Sequence, residues 1–496
     1  MVIYTNNLSF EYELEKLTRL FFPFEKIEFS YSEPDNSKVL FAVAMLNEED
    51  GKCHLVASAG LNGKIAVRNK PFNLVKSNDP NKEKDIERAL AVELFECYSE
   101  ITDYTPKWGI LTGIRPAKLY RKFSGALGNV QADEFFQNHF RVSAEKLQLL
   151  KETAISEEDI ILRSGKKSVS IYISIPFCPS RCSYCSFVSH SVERATDLIP
   201  QYFKLLIEEL FSTSEIIKKL GLEVMTVYVG GGTPTTLSAE QLTQLLTAIH
   251  TCFGENFDEL TVEAGRPDTI TKERLIALKN GGVSRISINP QTMNDNVLNN
   301  IGRKHTTQQT IEAFYLAREC GFDNINMDLI AGLPGDTVES FKNTIDAIIN
   351  LNPESVTVHS LSLKRSSGLG QDKDFSYLKD GVFAGEMVEY AESKLKAAGI
   401  LPYYMYRQSK TVGYLENVGY AKKGYEGLYN VYIMDETHTI LACGASAVTK
   451  LKSVNDGQIE RIFNYKYPYE YISLFEEMIE RKKRVEEFYS EHPIGN

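Results

Sequence analysis

From residue 169 onward the chain settles into short apolar runs separated by longer stretches of helical spacing. The runs occupy residues 169–176, 224–231, 260–265, 285–291, 325–332 and 355–363, and helix-like segments follow them, as at 198–220 and 238–252. Runs this short, rich in Val and Ile, read as buried strands, and their alternation with helices is the pattern of βα units on a parallel sheet. Six units between residues 167 and 381 are too few to close an eight-stranded barrel. The pattern predicts an α/β fold built on a partial, three-quarter TIM-like (β/α)6 barrel. Its open side would admit a large substrate, with the chemistry at the carboxyl ends of the strands.

The flanks have a different character. In residues 1–166, strand-like runs fall at 38–46 and 53–67, the second broken by Gly60 and by an Asn62-Gly63 turn signal. The segment 83–98 then places Ile86, Ala89, Leu90, Leu94 and Cys97 on one helical face, and a glycine-punctuated stretch at 108–116 comes after it. This predicts an N-terminal α+β lobe, to which the pattern attaches no chemistry. Residues 382–496 combine an aromatic run at 403–406, a loop rich in Gly and Tyr over 412–429 and a helix over 469–483. They are expected to form a C-terminal cap, or substrate domain, over the barrel opening.

Composition narrows the classes. A chain of 496 residues implies two or three domains, and its apolar runs fall far short of a membrane span. The start, Met1 to Asn6, has neither the basic residues nor the apolar stretch of a secretion signal, so a cytoplasmic location is expected. A net charge of −11 argues against binding a nucleic-acid backbone, which needs clustered cations. Eight cysteines are too sparse for a disulfide scaffold. Cys53, Cys97, Cys252, Cys320 and Cys443 stand alone and read as small buried hydrophobes. Cys178, Cys182 and Cys185 are packed into eight residues directly after the first barrel strand.

That Cys-x3-Cys-x2-Cys loop is the strongest chemical signal in the chain. Three thiolates on one short loop can hold three corners of a 4Fe-4S cubane, leaving the fourth iron open to chelate a small molecule through its amino and carboxylate groups. A closed zinc site would need a fourth ligand, and His190 could supply it; the spacing and the strand context favour the cluster. Further along, Gly230-Gly231-Gly232-Thr233-Pro234-Thr235 follows the second barrel strand, where absent side chains let backbone groups approach a ligand. Glu263, Gln291 and Asp328 fall at or just beyond strand ends, and Arg303 follows in Gly302-Arg303-Lys304-His305. Singly each reads as a loop cap; together they form a polar set suited to ribose hydroxyls and a carboxylate.

The cysteine spacing, with Tyr184 just before the last cysteine, resembles the radical S-adenosylmethionine (SAM) superfamily. The resemblance implies that SAM binds the open iron and is cleaved to a radical that abstracts hydrogen from the substrate. It narrows to the oxygen-independent coproporphyrinogen III oxidase family on four motifs: Tyr172 to Cys178, the Gly-Gly-Gly-Thr-Pro-Thr turn, Arg285 to Gln291, and Asp328 to Gly335. The long N-terminal lobe and Glu416 to Ala421 are most similar to its Firmicute-type branch. Carried over residue by residue, the resemblance implies Cys178, Cys182 and Cys185 as cluster ligands. The implied SAM contacts are Tyr172, Tyr184, Gly231, Gly232, Thr233, Glu263, Gln291, Arg303 and Asp328, with one SAM bound or two.

The resemblance also implies a tetrapyrrole substrate and a low-potential electron donor such as flavodoxin or ferredoxin. The chain departs from the classical oxidase at Phe187, where that enzyme has a further cysteine, and at Ser174, where it has a histidine. A haem-trafficking branch of the family also lacks that cysteine. Decarboxylation of coproporphyrinogen III, haem delivery by a chaperone with His190 or His359 as axial ligand, and chemistry on another tetrapyrrole all stay open at this point. For a substrate with four carboxylates, Lys364, Arg365, Arg407 and Lys410 are candidate cations near the barrel mouth.

Overall fold

The computed structural model describes the whole chain apart from residues 36–37, 50–51, 73–81, 187–189, 192–194, 365–366, 370–380, 409–410 and 495–496. The chain divides within the helix Ala144–Ile161 into two compact units, Met1–Glu152 and Thr153–Asn496.

In the first unit, strands β1 (Val2–Thr5), β2 (Glu28–Ser30), β3 (Leu40–Glu49), β4 (Lys52–Leu61) and β5 (Lys64–Phe72) form a sheet in the order β2-β1-β3-β4-β5. The turn signal closes the β4–β5 hairpin, with Asn62 (φ 51°) and Gly63 (φ 86°) both left-handed as in a type I′ turn. The helix Lys82–Thr102 buries Leu90, Leu94 and Cys97.

The second unit holds an eleven-stranded sheet. Its middle consists of β6 (Ser168–Ile175), β9 (Glu223–Gly231), β10 (Glu259–Gly265), β11 (Arg285–Ile288), β12 (Ile325–Ala331) and β13 (Ser355–Ser360). These are the six runs marked in the sequence, adjacent in chain order and parallel throughout. Two small strands, β7 (Phe177–Cys178) and β8 (His190–Ser191), pair with each other beside the cysteine loop. The segment after residue 381 supplies both flanks. Beyond β13, the strands β15 (Glu416–Ala421) and then β14 (Leu401–Arg407) pair antiparallel. Against β6 lies β16 (Thr439–Cys443), parallel to it, followed by antiparallel β17 (Val448–Lys452) and β18 (Ile459–Phe463). Among the described residues β14 and β18 are the two edges, so the sheet stays open as six βα units require.

Alternation along the strands decides where the site sits. One set of faces is wholly apolar: Val169, Ile171 and Ile173 on β6, Val227 and Val229 on β9, Val262 and Ala264 on β10, Ile286 and Ile288 on β11, Met327 and Leu329 on β12. These bury with the inward residues of the crossover helices, such as Leu206 and Leu210 of Ile199–Leu220 and Leu242 and Leu245 of Ala239–Phe253. The other set is polar: Ser170, Tyr172, Thr226, Tyr228, Thr261, Glu263, Arg285, Ser287, Asn326, Asp328, Ser355 and Thr357. An ordinary core would be apolar on this side too, so a face of buried hydroxyls, amides and charges marks it as the working surface.

Three expectations change in the structure. The run 285–291 is strand only to Ile288, because Pro290 has no N–H for the ladder, and Gln291 turns into a left-handed conformation (φ 70°). Within 412–429, expected as loop, Glu416–Ala421 is a fully buried strand between β13 and β14. Gly419 makes this possible, since a Cβ there would sit 1.9 Å from the Tyr404 ring. The helix expected over 469–483 is three short ones, Pro468–Ser473, Phe475–Arg481 and Lys483–Glu491. The breaks let both Tyr471 and Lys482 reach the buried carboxylate of Glu209.

Candidate functional site

Strand β6 stops at Pro176, and the chain swings through β7 into the cysteine loop. Backbone groups then tie the loop to its surroundings. Cys185 N–H donates to the Cys182 carbonyl (3.2 Å), and Ser183 N–H to that of Ile301 (3.0 Å). The Ser180 hydroxyl donates to the Gly302 carbonyl (3.1 Å). The glycine turn after β9 locks against the same loop: Gly232 N–H bonds the Ile175 carbonyl and Thr233 N–H that of Phe177, both at 2.8 Å. Gly232 has to be glycine, because a Cβ there would lie 2.6 Å from the Phe177 carbonyl oxygen. Thr233 Oγ1 reaches Cys178 Sγ at 3.5 Å.

None of the three cysteines is in a disulfide. Cys182 is buried, and Cys178 and Cys185 are half-buried. Among the described residues no group of three or more His, Cys, Asp or Glu side chains surrounds a point where a single metal ion could sit. A cubane spreads its thiolates over separate corners, and three unbridged thiols on one pinned loop suit that geometry. The His190 side chain, fourth ligand in the zinc alternative, lies outside the described residues.

A continuous hydrogen-bonded chain runs from this loop across the polar face. Arg303, only 6% exposed, donates from Nη2 to the Tyr184 hydroxyl (3.2 Å) and from Nη1 to the Asn289 carbonyl. Burial alone would lower its pKa, but Tyr184 and Cys182 beside it outweigh burial and hold it cationic. Its Nε has no protein partner, an orphaned donor at a site expected to hold an anionic group. Ser287 donates to the Asn289 side chain, and Asn326 Nδ2 donates to Ser287 Oγ (3.0 Å) and to Asp328 Oδ1 (2.7 Å). Asn326 Oδ1 accepts from Ser355 (3.1 Å) and Thr357 (3.2 Å), so all its capacity is used in fixing Asp328. Gln291 is set beside Asp328 by backbone: its N–H bonds the Asp328 carbonyl (2.9 Å), and its own carbonyl accepts from Ile330 N–H (3.0 Å).

Glu263 accepts from the Tyr228 hydroxyl at 2.6 Å. Burial pushes its carboxyl up to about 7; the Tyr228 hydrogen bond pulls the other way and the nearby Asp328 charge adds to the rise. Tyr172 stacks on Tyr228 and on Tyr429, 6.3 Å from each, and Tyr228 stacks on Tyr429 at 4.6 Å. Burial raises the pKa of Tyr172, so it stays a neutral hydroxyl.

The sequence-predicted residues thus fall into three connected groups: Thr233 and Gly232 with Cys178, Tyr184 and Arg303 with Cys182 and Cys185, and Glu263 with Tyr172. Asp328 and Gln291 join the second group through Asn326, Ser287 and Asn289. Several residues were not anticipated. Tyr228 shares its strand face with Gly230, a signal the alternation carries. Asn326 shares one with Asp328. Arg266 follows Gly265 at the end of β10 and lies 4.0 Å from Cys182 Sγ. Tyr429 comes from the distant helix Leu428–Asp435, and nothing local announces it.

The expected cations are less well placed. Arg407 is buried and donates to the Tyr414 carbonyl (2.9 Å), and burial lowers its pKa to about 10. It braces the β14–β15 connection and is not a surface cation at the mouth. Lys364 is half-buried. Arg365, Lys410 and Phe187 lie outside the described residues. Ser174 is buried on β6, its carbonyl accepting from the Tyr202 hydroxyl (2.8 Å). His359 is half-buried, its Nδ1 3.3 Å from the Tyr406 hydroxyl.

Residues 172–348 match the radical SAM superfamily. The chain is 35% identical over 476 residues, 95% of its own length and 94% of the other's, to the oxygen-independent coproporphyrinogen-III oxidase-like protein HemZ of Bacillus subtilis. It is 34% identical over 298 residues to the heme chaperone HemW of the same organism, covering 59% of this chain and 74% of that one. Among solved structures, coproporphyrinogen III oxidase (HemN) from Escherichia coli, a radical SAM enzyme, matches with a TM-score of 0.50 at 22% identity over 66% of this chain and 73% of that one. That likeness speaks for the fold. The superfamily works with a 4Fe-4S cluster and SAM, in keeping with the thiol loop and the polar sheet face described above. This chain belongs to the radical SAM superfamily and, within it, to the oxygen-independent coproporphyrinogen-III oxidase-like proteins.

Proposed function

We propose that this protein is a cytoplasmic radical SAM oxidoreductase of haem biosynthesis that oxidatively decarboxylates coproporphyrinogen III to protoporphyrinogen IX. The observation that carries the reading is the likeness to an oxidase-like protein over 95% of the chain. The continuous polar sheet face next to the thiol loop supports it. Each of two propionates would lose one hydrogen atom to the SAM-derived radical, release carbon dioxide and pass one further electron to a one-electron acceptor, becoming a vinyl group.

In this reading Cys178, Cys182 and Cys185 hold a 4Fe-4S cluster. When bound, the cluster and SAM supply the radical that takes hydrogen from the substrate. Arg303 is the cation for the SAM carboxylate, pre-aimed by its bond to Tyr184. Gly231, Gly232 and Thr233 offer backbone groups without side-chain obstruction. Glu263, Gln291 and Asp328 accept or donate to the amino group and ribose, and Tyr172 lends its ring and hydroxyl to the same wall. Tyr228 stacks on the buried Tyr429, which steadies its hydroxyl on Glu263. A low-potential donor such as flavodoxin or ferredoxin supplies electrons. None of the described helices is long and apolar enough to cross a membrane.

Haem delivery is the second reading. It is supported by the likeness to a heme chaperone and by His359, a half-buried imidazole beside Tyr406 able to ligate iron. Anaerobic incubation of the reconstituted protein with coproporphyrinogen III, SAM and a reductant separates the two. Product fluorescence after oxidation, with about two SAM consumed per porphyrin because two propionates react, is the expected result. SAM cleavage without porphyrin turnover, together with tight stoichiometric haem binding, would replace the oxidase reading with the chaperone.

A further inference from the structure

Arg266 belongs to none of the implied SAM contacts, yet its guanidinium is seated against the cysteine loop. It is 3% exposed. Two of its nitrogens clasp Asp268, Nε to Oδ1 at 2.9 Å and Nη2 to Oδ2 at 2.8 Å. The third, Nη1, faces the loop: 2.8 Å from Ser180 Oγ, 3.4 Å from the Ser180 carbonyl and 4.0 Å from Cys182 Sγ. Ser180 passes the link on through its hydroxyl to the Gly302 carbonyl, next to Arg303. A bidentate pair to an aspartate fixes a guanidinium far more firmly than a packing role needs. A surface residue could brace a loop; a desolvated cation aimed at one sulfur acts on the charge of that sulfur.

We propose that the Arg266–Asp268 pair is a positioning and charge-tuning device for the iron–sulfur cluster, acting through Cys182. The inference rests on the reading that this loop carries the cluster. Reduction adds negative charge to the cluster and its thiolates, and donors and positive charge near a sulfur favour the reduced state. Arg266 therefore raises the reduction potential, and Asp268 moderates it by neutralising part of the guanidinium charge. Thr233 Oγ1 makes the corresponding contact at Cys178, so the sulfurs of Cys178 and Cys182 each face a donor.

The opposite signs of the two partners make the test selective. In the reconstituted full-length protein, iron content shows whether the loop holds a cluster at all, and that outcome bears on the underlying reading. The proposal is read from the cluster midpoint in an anaerobic redox titration followed by electron paramagnetic resonance. At parental iron content, Arg266→Gln moves the midpoint to more negative values and Asp268→Asn moves it to more positive values. Midpoints that do not move, or that move the same way in Arg266→Gln and Asp268→Asn, overturn the proposal. So does loss of iron in both variants while the parent retains it, since the pair would then only hold the loop together.

Discussion

Glu263 is a carboxylic acid whose surroundings set its charge. It faces Tyr228 on β9, Asp328 on β12 and Arg285 on β11, and burial raises it to about 7 from the ordinary carboxylate range. An acid with a raised folded-state pKa keeps its proton while the unfolded chain has already lost it. Stability therefore falls as pH climbs from the unfolded value toward about 7, and the penalty is complete above it. Glu263→Gln keeps the acceptor for Tyr228 and removes the titration. The variant is expected to match the parent closely in acid and to exceed it by up to ~3 kcal/mol at about pH 8. Denaturant unfolding at about pH 5 and about pH 8 checks this; a parent–variant difference independent of pH would show that Glu263 titrates normally. As a site residue Glu263 was legible because it is a carboxylate set inside the short apolar run 260–265. Its partner Tyr228 was not singled out, although both lie on the polar set of an alternating sheet.

Among the elements, β15 shows how a residue choice places a strand. Gly419 opposes Tyr404 across β14–β15, and the Tyr404 ring occupies the space a side chain would fill, 1.9 Å from an added Cβ. Gly419→Val forces that buried ring aside, at a cost of about 1–3 kcal/mol. In a double-mutant cycle with Tyr404→Ala, the combined loss should be smaller than the sum of the two single losses. Strictly additive losses would mean the ring and the glycine do not compete. The six parallel strands were legible because each is a short apolar run with a turn signal beyond it. The helix start at Ser238 is equally local, its hydroxyl and the Gln241 side chain forming a reciprocal cap. β15 was not legible: Glu416-Asn417-Val418-Gly419-Tyr420-Ala421 lacks an apolar rhythm, and its strand character comes from pairing on both sides.

At the level of the whole second unit, a single buried carboxylate joins the first barrel helix to the last segment of the chain. Glu209, in Ile199–Leu220, accepts from Gly444 N–H (2.7 Å), Asn464 (2.8 Å) and Tyr471 (2.6 Å) and pairs with Lys482 (2.9 Å). Lys482→Met leaves a buried charge without its counter-ion and should cost about 3–5 kcal/mol, much of it recovered by adding Glu209→Gln. Equal stability of Lys482→Met and parent in urea would mean the pair contributes nothing. No sequence pattern announces this clamp, since Glu209 lies more than two hundred residues from each of its partners. The cysteine loop is the opposite case, complete within eight residues and readable from spacing alone. The central claim, that this loop makes the protein a radical SAM enzyme, is tested most directly by anaerobic reconstitution followed by iron analysis and SAM cleavage. The account predicts about four irons per chain and formation of 5′-deoxyadenosine, both lost in Cys182→Ala. Stoichiometric zinc with no iron-dependent absorbance, or SAM cleavage that survives Cys182→Ala, would contradict it.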